Sequence, residues 1–73
     1  MLPAVVGEKI KVRYENPDYK YTIDVVVTAR LSLNEFIGRV ERVFAAGDGE
    51  ITGGTILELK GQELKFKNQD ILP

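Results

Sequence analysis

The chain contains no cysteine and no histidine. This excludes disulfide bonds, thiolate and imidazole metal ligands, cysteine nucleophiles and every Ser-His or Cys-His catalytic arrangement. An excess of one charge is also missing, because ten Lys and Arg stand against eleven Asp and Glu. No bulk charge therefore points to a nucleic acid or an anionic membrane. On these grounds we expect neither a metal nor a cofactor.

Long hydrophobic runs are absent as well. No run approaches the roughly 18 apolar residues that a membrane-spanning helix needs. The N-terminus has a short apolar run, from Leu2 to Val6, but no positively charged region before it, so it does not resemble a signal peptide. We expect a protein that does not enter a membrane, with the cytoplasm as the default location.

The composition that remains is ordinary for one small globular domain. The 73 residues are 44% hydrophobic and 29% charged, which argues against disorder. A chain of this length buries only about 60% of the surface that its unfolded form exposes, so the core needs nearly every large apolar residue. We expect a single domain over 1–73, with residues 1–7 as an N-terminal extension and residues 68–73 as a C-terminal turn.

Two alternating segments predict a β-hairpin at the start of the domain. In 8–15 the apolar Ile10, Val12 and Tyr14 alternate with basic side chains, and in 19–29 a second alternation places 21, 23, 25 and 27 on one side. A period of two with β-branched and aromatic residues is typical of a half-buried strand. The segment 16–18, Asn-Pro-Asp, has turn chemistry and joins the two strands.

The next segment has the pattern of a helix. Ser32 and Glu35 fit a capping box, Gly47 stands where a helix ends, and Glu35 and Arg39 form a favourable i,i+4 pair. Gly38 is unfavourable there by about 1 kcal/mol. Strict strand alternation fits less well, because only two of the four positions 37, 39, 41 and 43, or three of the five positions 36, 38, 40, 42 and 44, are large and apolar. We therefore predict a helix over 33–46. Its apolar stripe consists of Leu33, Phe36, Ile37, Val40, Val43 and Phe44.

The rest of the chain predicts a second hairpin. A loop over 47–55 leads to strands at 55–60 and 62–67, which the turn Lys60-Gly61 joins, and 68–70 then turns Ile71 and Leu72 back onto the core edge. The order ββαββ predicts an α+β fold of the β-grasp type, with one helix on a four-stranded mixed sheet. Phe36, Val40 and Phe44 would pack against Val12, Val25, Leu57 and Phe66. The alternative is a small SH3-like barrel, in which 36–44 would be a strand.

The same segments resemble the ubiquitin-like family. The stretch 21–27 running into 32–40 is similar to that family's second strand and helix start, 56–64 to its strand, Gly-containing turn and returning Leu, and 68–71 to its late polar turn. The resemblance implies a β-grasp fold and a binding or adaptor role. Conjugated members end in Gly-Gly and have a strand after the polar turn. This sequence has neither, and Gly53-Gly54 is internal, so the resemblance implies an unconjugated adaptor.

Several residue groups could carry chemistry, and each has a simpler interpretation. Asp48 and Glu50 could hold a divalent cation, but Asp-Gly is first a turn signal. The glycines of 47–54 lie after a helix and before a strand, which is the reverse of a phosphate-binding loop. Glu58 and Glu63 could pair for acid-base work, but lysines surround them and nothing would desolvate them. We expect no enzyme.

Two surface groups point instead to binding. Tyr14, Tyr19 and Tyr21 cluster near basic residues, which is typical of single-strand nucleic-acid platforms, although Tyr14 and Tyr21 also suit the core edge. The second group is on the outer side of the sheet, where the first and last strands would lie side by side. There Glu63 is the one acid among five bases, and Val26 adds an exposed apolar contact. The predicted partner-binding residues are Lys9, Lys11, Arg13, Val26, Lys65 and Lys67.

This surface predicts a protein partner with an acidic surface. Segregated charge steers the association and orientation of partners. Solubility and the protection of sheet edges by lysine would produce the same pattern. The balanced net charge makes a nucleic-acid partner the less favoured interpretation, and it belongs with the SH3-like alternative.

Overall fold

The residues that the structure describes form one sheet of four antiparallel strands, in which each strand pairs with the next one in the sequence. The computed structural model describes residues 5–15, 17–45 and 49–72, and within these ranges the chain has no α-helix. The strands are β1 (Lys9–Glu15), β2 (Lys20–Arg30), β3 (Glu35–Ala45) and β4 (Glu63–Lys67), and the two 3-10 helices are Thr55–Leu59 and Asn68–Asp70. The predicted first hairpin and the strand at 62–67 are confirmed. The α+β β-grasp arrangement is wrong, because the domain is all-β.

The sheet curls into a half-barrel around a single apolar core. The inner face buries a set of side chains from all four strands: Val12, Ile23, Val25, Val27, Phe36, Val40, Val43 and Phe66. Phe36 and Phe66 lie in directly opposed register positions of β3 and β4, and their ring centroids are 5.8 Å apart. Such tilted aromatic pairs contribute beyond the apolar area that they bury.

The predicted helix over 33–46 is replaced by β3, and a β-bulge explains the error. Asp24 pairs with Arg42 but the next residue, Val25, pairs with Val40, so Glu41 is an extra residue in β3. A bulge shifts the alternation by one position. The buried side chains of β3 therefore fall at 36, 40 and 43, which are the i, i+4 and i+7 positions of a helical stripe. Phe44, predicted to be in the core, points to the opposite face, and the predicted helix end at Gly47 lies outside the described residues.

The hydrogen bonds predicted for the Ser32 hydroxyl form, but they organise the connection between β2 and β3 and not a helix start. The Ser32 hydroxyl accepts hydrogen bonds from the backbone N–H of Asn34 (3.2 Å) and Glu35 (3.1 Å), as it would at a helix start. The backbone N–H groups of Leu31 and Ser32 both donate to the Glu35 carbonyl, which closes the turn between β2 and β3. Ser and Thr hydroxyls serve backbone N–H groups in turns and helix caps alike.

Ser32→Ala is expected to destabilise the domain by about 0.5–1.5 kcal/mol, because two backbone N–H groups lose their side-chain acceptor at an exposed turn. Urea denaturation followed by tyrosine fluorescence would measure the change. Ser32→Asp, which keeps an acceptor at this position, is the matched control and should stay close to the parent. Equal stability of Ser32→Ala and the parent would show that the hydroxyl does not hold the turn.

The predicted strand at 55–60 is also wrong, because Thr55–Leu59 forms a 3-10 helix. Ile56 and Leu59 pack against the core, and their spacing of three residues matches the three residues per turn of this helix. Gly54 precedes the helix with a φ of 95°, and Gly61 follows it with a φ of 86°. Glycine adopts these left-handed conformations without steric cost.

The segment after β4 turns back onto the core edge, as predicted, and Ile71 packs against the core. The 3-10 helix Asn68–Asp70 turns the chain, Ile71 forms a β-bridge with Val12, and the Leu72 N–H donates to the Lys11 carbonyl at 2.8 Å. This contact attaches the C-terminal segment to the edge of β1. Among the residues that the structure describes, no helix has the length and apolar character needed to cross a membrane.

Candidate binding surfaces

The outer face of the sheet carries most of the charge of the domain. We define it by the side chains that alternate away from the core. Rows of directly opposed residues cross it, for example Lys11–Asp24–Arg42 over β1, β2 and β3, and Lys9–Val26–Arg39 one row along. The bases of this face are Lys9, Lys11, Arg13, Lys20, Arg39, Arg42, Lys65 and Lys67, and its acids are Glu15, Asp24, Glu35, Glu41 and Glu63.

Asp24 is the centre of this face. Its side chain is only 17% exposed, and it accepts from Lys11 Nζ at 2.9 Å and pairs with Arg42 Nε at 3.2 Å. Lys11 Nζ also lies 4.4 Å from the centre of the Phe44 ring. Cross-strand neighbours of opposite charge and a cation over an aromatic face both stabilise a sheet modestly. Asp24 therefore compensates two of the bases around it.

Two further bases have acidic partners. Lys9 lies 3.9 Å from Glu41, the extra residue of the bulge, and Lys65 lies 3.6 Å from Glu35 on the neighbouring strand. Lys9 and Lys65 are 78% and 64% exposed, so solvent screens both pairs and each contributes little to stability. These two bases stay available to an approaching partner.

Four bases of the outer face form no ion pair within the described part of the chain: Arg13, Lys20, Arg39 and Lys67. All four are exposed. Arg39 lies near the middle of the face, opposite Val26 on one side and Glu63 on the other. The face as a whole has eight bases against five acids, whereas the described residues outside it have two bases and five acids. The charge of this nearly neutral chain is therefore segregated.

The predicted binding residues all lie on this face, but not as one patch. β1 and β4 are opposite edges of the sheet, with β2 and β3 between them, so the predicted side-by-side arrangement is wrong. The curl brings Arg13 and Lys65 to the same open groove between β1 and β4. Val26, predicted to be exposed, is half-buried between Lys9 and Arg39.

Sequence reasoning missed the middle of the face. Arg39 and Arg42 were assigned to a helix, which would have placed them away from the sheet. The partners Asp24, Glu35 and Glu41 depend on strand register, which the bulge shifts by one residue. The β-branched residues Ile37, Val40 and Val43 were the available, weaker signal for a strand.

The structure supports neither the predicted Glu58–Glu63 pair nor a cation site among the described residues. Glu58 lies in the first 3-10 helix and Glu63 on β4, so they do not form a cross-strand pair. Both are exposed. Asp48 is outside the described residues, so the suggested cation loop is not defined. Over residues 5–15, 17–45 and 49–72, no three acidic side chains come together as a metal site.

The three tyrosine rings lie in a row at the end of the first hairpin, each tilted by 41–45° against the next, and we call this row the tyrosine stack. The rings of Tyr14 and Tyr21 are 6.4 Å apart and those of Tyr21 and Tyr19 are 6.1 Å apart. Tyr14 and Tyr21 are half-buried against the core, as predicted, whereas Tyr19 is 64% exposed. Tyr19 and Tyr21 line a groove against the first 3-10 helix.

Comparison with protein-family models, with curated proteins and with solved structures finds no match to this chain. Function must therefore be argued from the two surfaces themselves. The outer face presents a net positive, mostly solvent-exposed sheet surface, and the tyrosine groove presents aromatic and acidic side chains.

Proposed function

We propose that this protein is a non-catalytic binding module that docks an acidic surface of a partner protein on the outer face of its sheet. The observation that carries the proposal is the charge segregation: a chain with net charge −1 keeps eight bases and five acids on one face. Fields of this kind orient a partner during its approach and raise the rate of association.

The geometry of the face supports docking rather than catalysis. Its cations are spread over four strands and project from a sheet whose backbone is fixed by the strand pairing. Half-buried Val26, Ile37 and Phe44 lie between them and provide apolar contact area. A charged rim around modest apolar area is typical of transient protein interfaces.

Arg39 is the best probe of this surface. Reversing Lys11 or Lys65 would also break their pairs with Asp24 and Glu35, whereas Arg39 has no ion pair in the described ranges. Arg39→Glu changes the charge by two units near the centre of the face. Lys60→Glu makes the same change in an exposed turn away from that face, and it is the matched control.

Arg39→Glu is expected to weaken the binding of poly-L-glutamate, used as a model acidic chain, by about tenfold at low salt. NMR titration of the labelled protein would measure the affinity and locate the shifts on Lys9–Arg13, Val26, Arg39 and Lys65. Lys60→Glu should bind as the parent does. Binding of the parent should disappear near 1 M salt, where the screening length is about 3 Å.

The titration also tests the alternative partner. Oligothymidine is run as a competitor, because a nucleic acid is a polyanion and would use the same cations. Stronger binding of oligothymidine than of poly-L-glutamate would favour the nucleic-acid alternative over ours. Poly-L-glutamate shifts confined to 49–59, or equal affinities of Arg39→Glu and the parent, would contradict the proposal.

A further inference from the structure

A second binding surface, separate from the outer face, lies at the tyrosine stack. Tyr19 and Tyr21 form one wall of an open groove, and Ile56 and Leu59 of the first 3-10 helix form the other. Tyr21, Ile56 and Leu59 pack against the core, so the floor is fixed by the fold. The Gln62 side chain donates to the Glu58 carbonyl at 2.8 Å and holds the end of the helix beside the groove.

The charge of this groove is opposite to that of the outer face. Asp18 and Glu58 line it, and its described lining contains no Lys or Arg. Glu58 makes no ion pair with any described residue. The exposed Tyr19 lines the same groove as these two residues. An aromatic face next to carboxylates attracts a cation by its ring quadrupole and by charge, and guanidinium groups also stack on such rings.

We infer that this groove binds an extended, arginine-bearing segment of a partner protein. The guanidinium stacks on Tyr19 and pairs with the Glu58 carboxylate, while the apolar residues beside the arginine contact Ile56 and Leu59. Electrostatic complementarity selects this occupant. The Glu58 carboxylate, which forms no ion pair with a described residue, repels a nucleic acid and an acidic peptide and attracts a basic one. The module would then join an acidic and a basic partner on two different faces.

The probe is the capped pentapeptide Pro-Leu-Arg-Leu-Pro, whose prolines favour an extended backbone. The control peptide has citrulline in place of arginine, which keeps the shape of the side chain and removes its charge. Titration of the labelled protein should shift Tyr19, Tyr21, Ile56, Glu58 and Leu59. The affinity of the citrulline peptide should be about threefold lower than that of the arginine peptide, because the ion pair and much of the cation–π attraction are lost.

Two variants separate the expected contributions. Tyr19→Leu keeps apolar area but removes the ring, and it should weaken arginine-peptide binding about two- to fivefold. Glu58→Gln should weaken it by a similar factor and should make the arginine and citrulline peptides more alike. Leu33→Ala, at an 84% exposed side chain in the distant β2–β3 turn, is the control and should change nothing.

The test distinguishes this inference from the proposed function. Arg39→Glu should leave arginine-peptide binding intact, and Tyr19→Leu should leave poly-L-glutamate binding intact. Equal affinities of the arginine and citrulline peptides would overturn the inference, and so would shifts confined to the outer face. Stronger shifts at Tyr19 with oligothymidine than with the arginine peptide would overturn it as well, in favour of a base-stacking platform.

Discussion

Phe36→Ala is expected to destabilise the domain by about 3–5 kcal/mol, the largest effect of any single truncation in the core. Phe36 is fully buried and stacks on Phe66 at the junction of β3 and β4. Its removal leaves a cavity in a core to which the described residues contribute eight buried apolar side chains, so few neighbours can move in. A domain of this length has a total stability of about 4–11 kcal/mol, so the variant is expected to be partly unfolded.

Thermal unfolding by circular dichroism would measure this effect, with an expected fall in Tm of more than about 12 °C. Leu33→Ala removes a side chain of similar size that is 84% exposed, and its Tm should stay within a few degrees of the parent. A cooperative transition of Phe36→Ala at the temperature of the parent would mean that Phe36 is not in the core. The far-UV spectrum of the parent should show strand and no helical minima.

The identity of the core residues could be predicted from the sequence better than the secondary structure in which they lie. Seven residues were predicted to pack together. Five of them are buried, namely Phe36, Val40, Val12, Val25 and Phe66, whereas Phe44 and Leu57 are half-buried outside the core. Large apolar residues are needed in the core of a small domain whichever element carries them. The first hairpin and β4 were also predictable, because unbroken alternation over five or more residues has no helical equivalent.

The type of the third element could not be predicted, because three local signals coincide. The bulge at Glu41 gives the buried residues of β3 the spacing of a helical stripe. The Ser32 hydroxyl accepts backbone hydrogen bonds in this turn, as it would at a helix start. Glu35 and Arg39 have the spacing of a helical ion pair. In the structure Glu35 pairs with Lys65 instead, across the strands. Tertiary pairing with β2 and β4 decides the conformation, and no local window contains that information.

Only part of the outer face could be predicted, because only part of it depends on local sequence patterns. The cations of β1 and β4 were identified because their strands alternate clearly. Asp24 forms ion pairs with Lys11 and Arg42 because the register of three strands places them side by side. The position of Arg39, which forms no ion pair among the described residues, depends on the bulge. The tyrosine groove requires the 3-10 helix at Thr55–Leu59, which the sequence predicted to be a strand.

Gly38 is a test of the strand assignment itself, because the two interpretations predict opposite effects. A Cβ at Gly38 would lie 2.8 Å from Cγ2 and 2.9 Å from Cβ of Val25, on the adjacent strand. Val25 is buried and β-branched, so its side chain has no alternative rotamer into which it can move freely. In a helix, replacing this glycine by alanine would stabilise by about 1 kcal/mol. In β3 we expect Gly38→Ala to destabilise by about 1–3 kcal/mol through overpacking.

The double variant identifies the cause. Val25→Ala alone leaves a cavity and should cost about 1–3 kcal/mol. Combined with Gly38→Ala, the close contact with Cγ2 of Val25 is removed and only the contact with Cβ stays, so the total loss should be smaller than the sum of the single losses by about 1 kcal/mol. Urea denaturation of the four proteins gives this coupling energy. Additive losses would mean that the two side chains do not meet, and a stabilised Gly38→Ala would contradict the β2–β3 pairing on which the outer face depends.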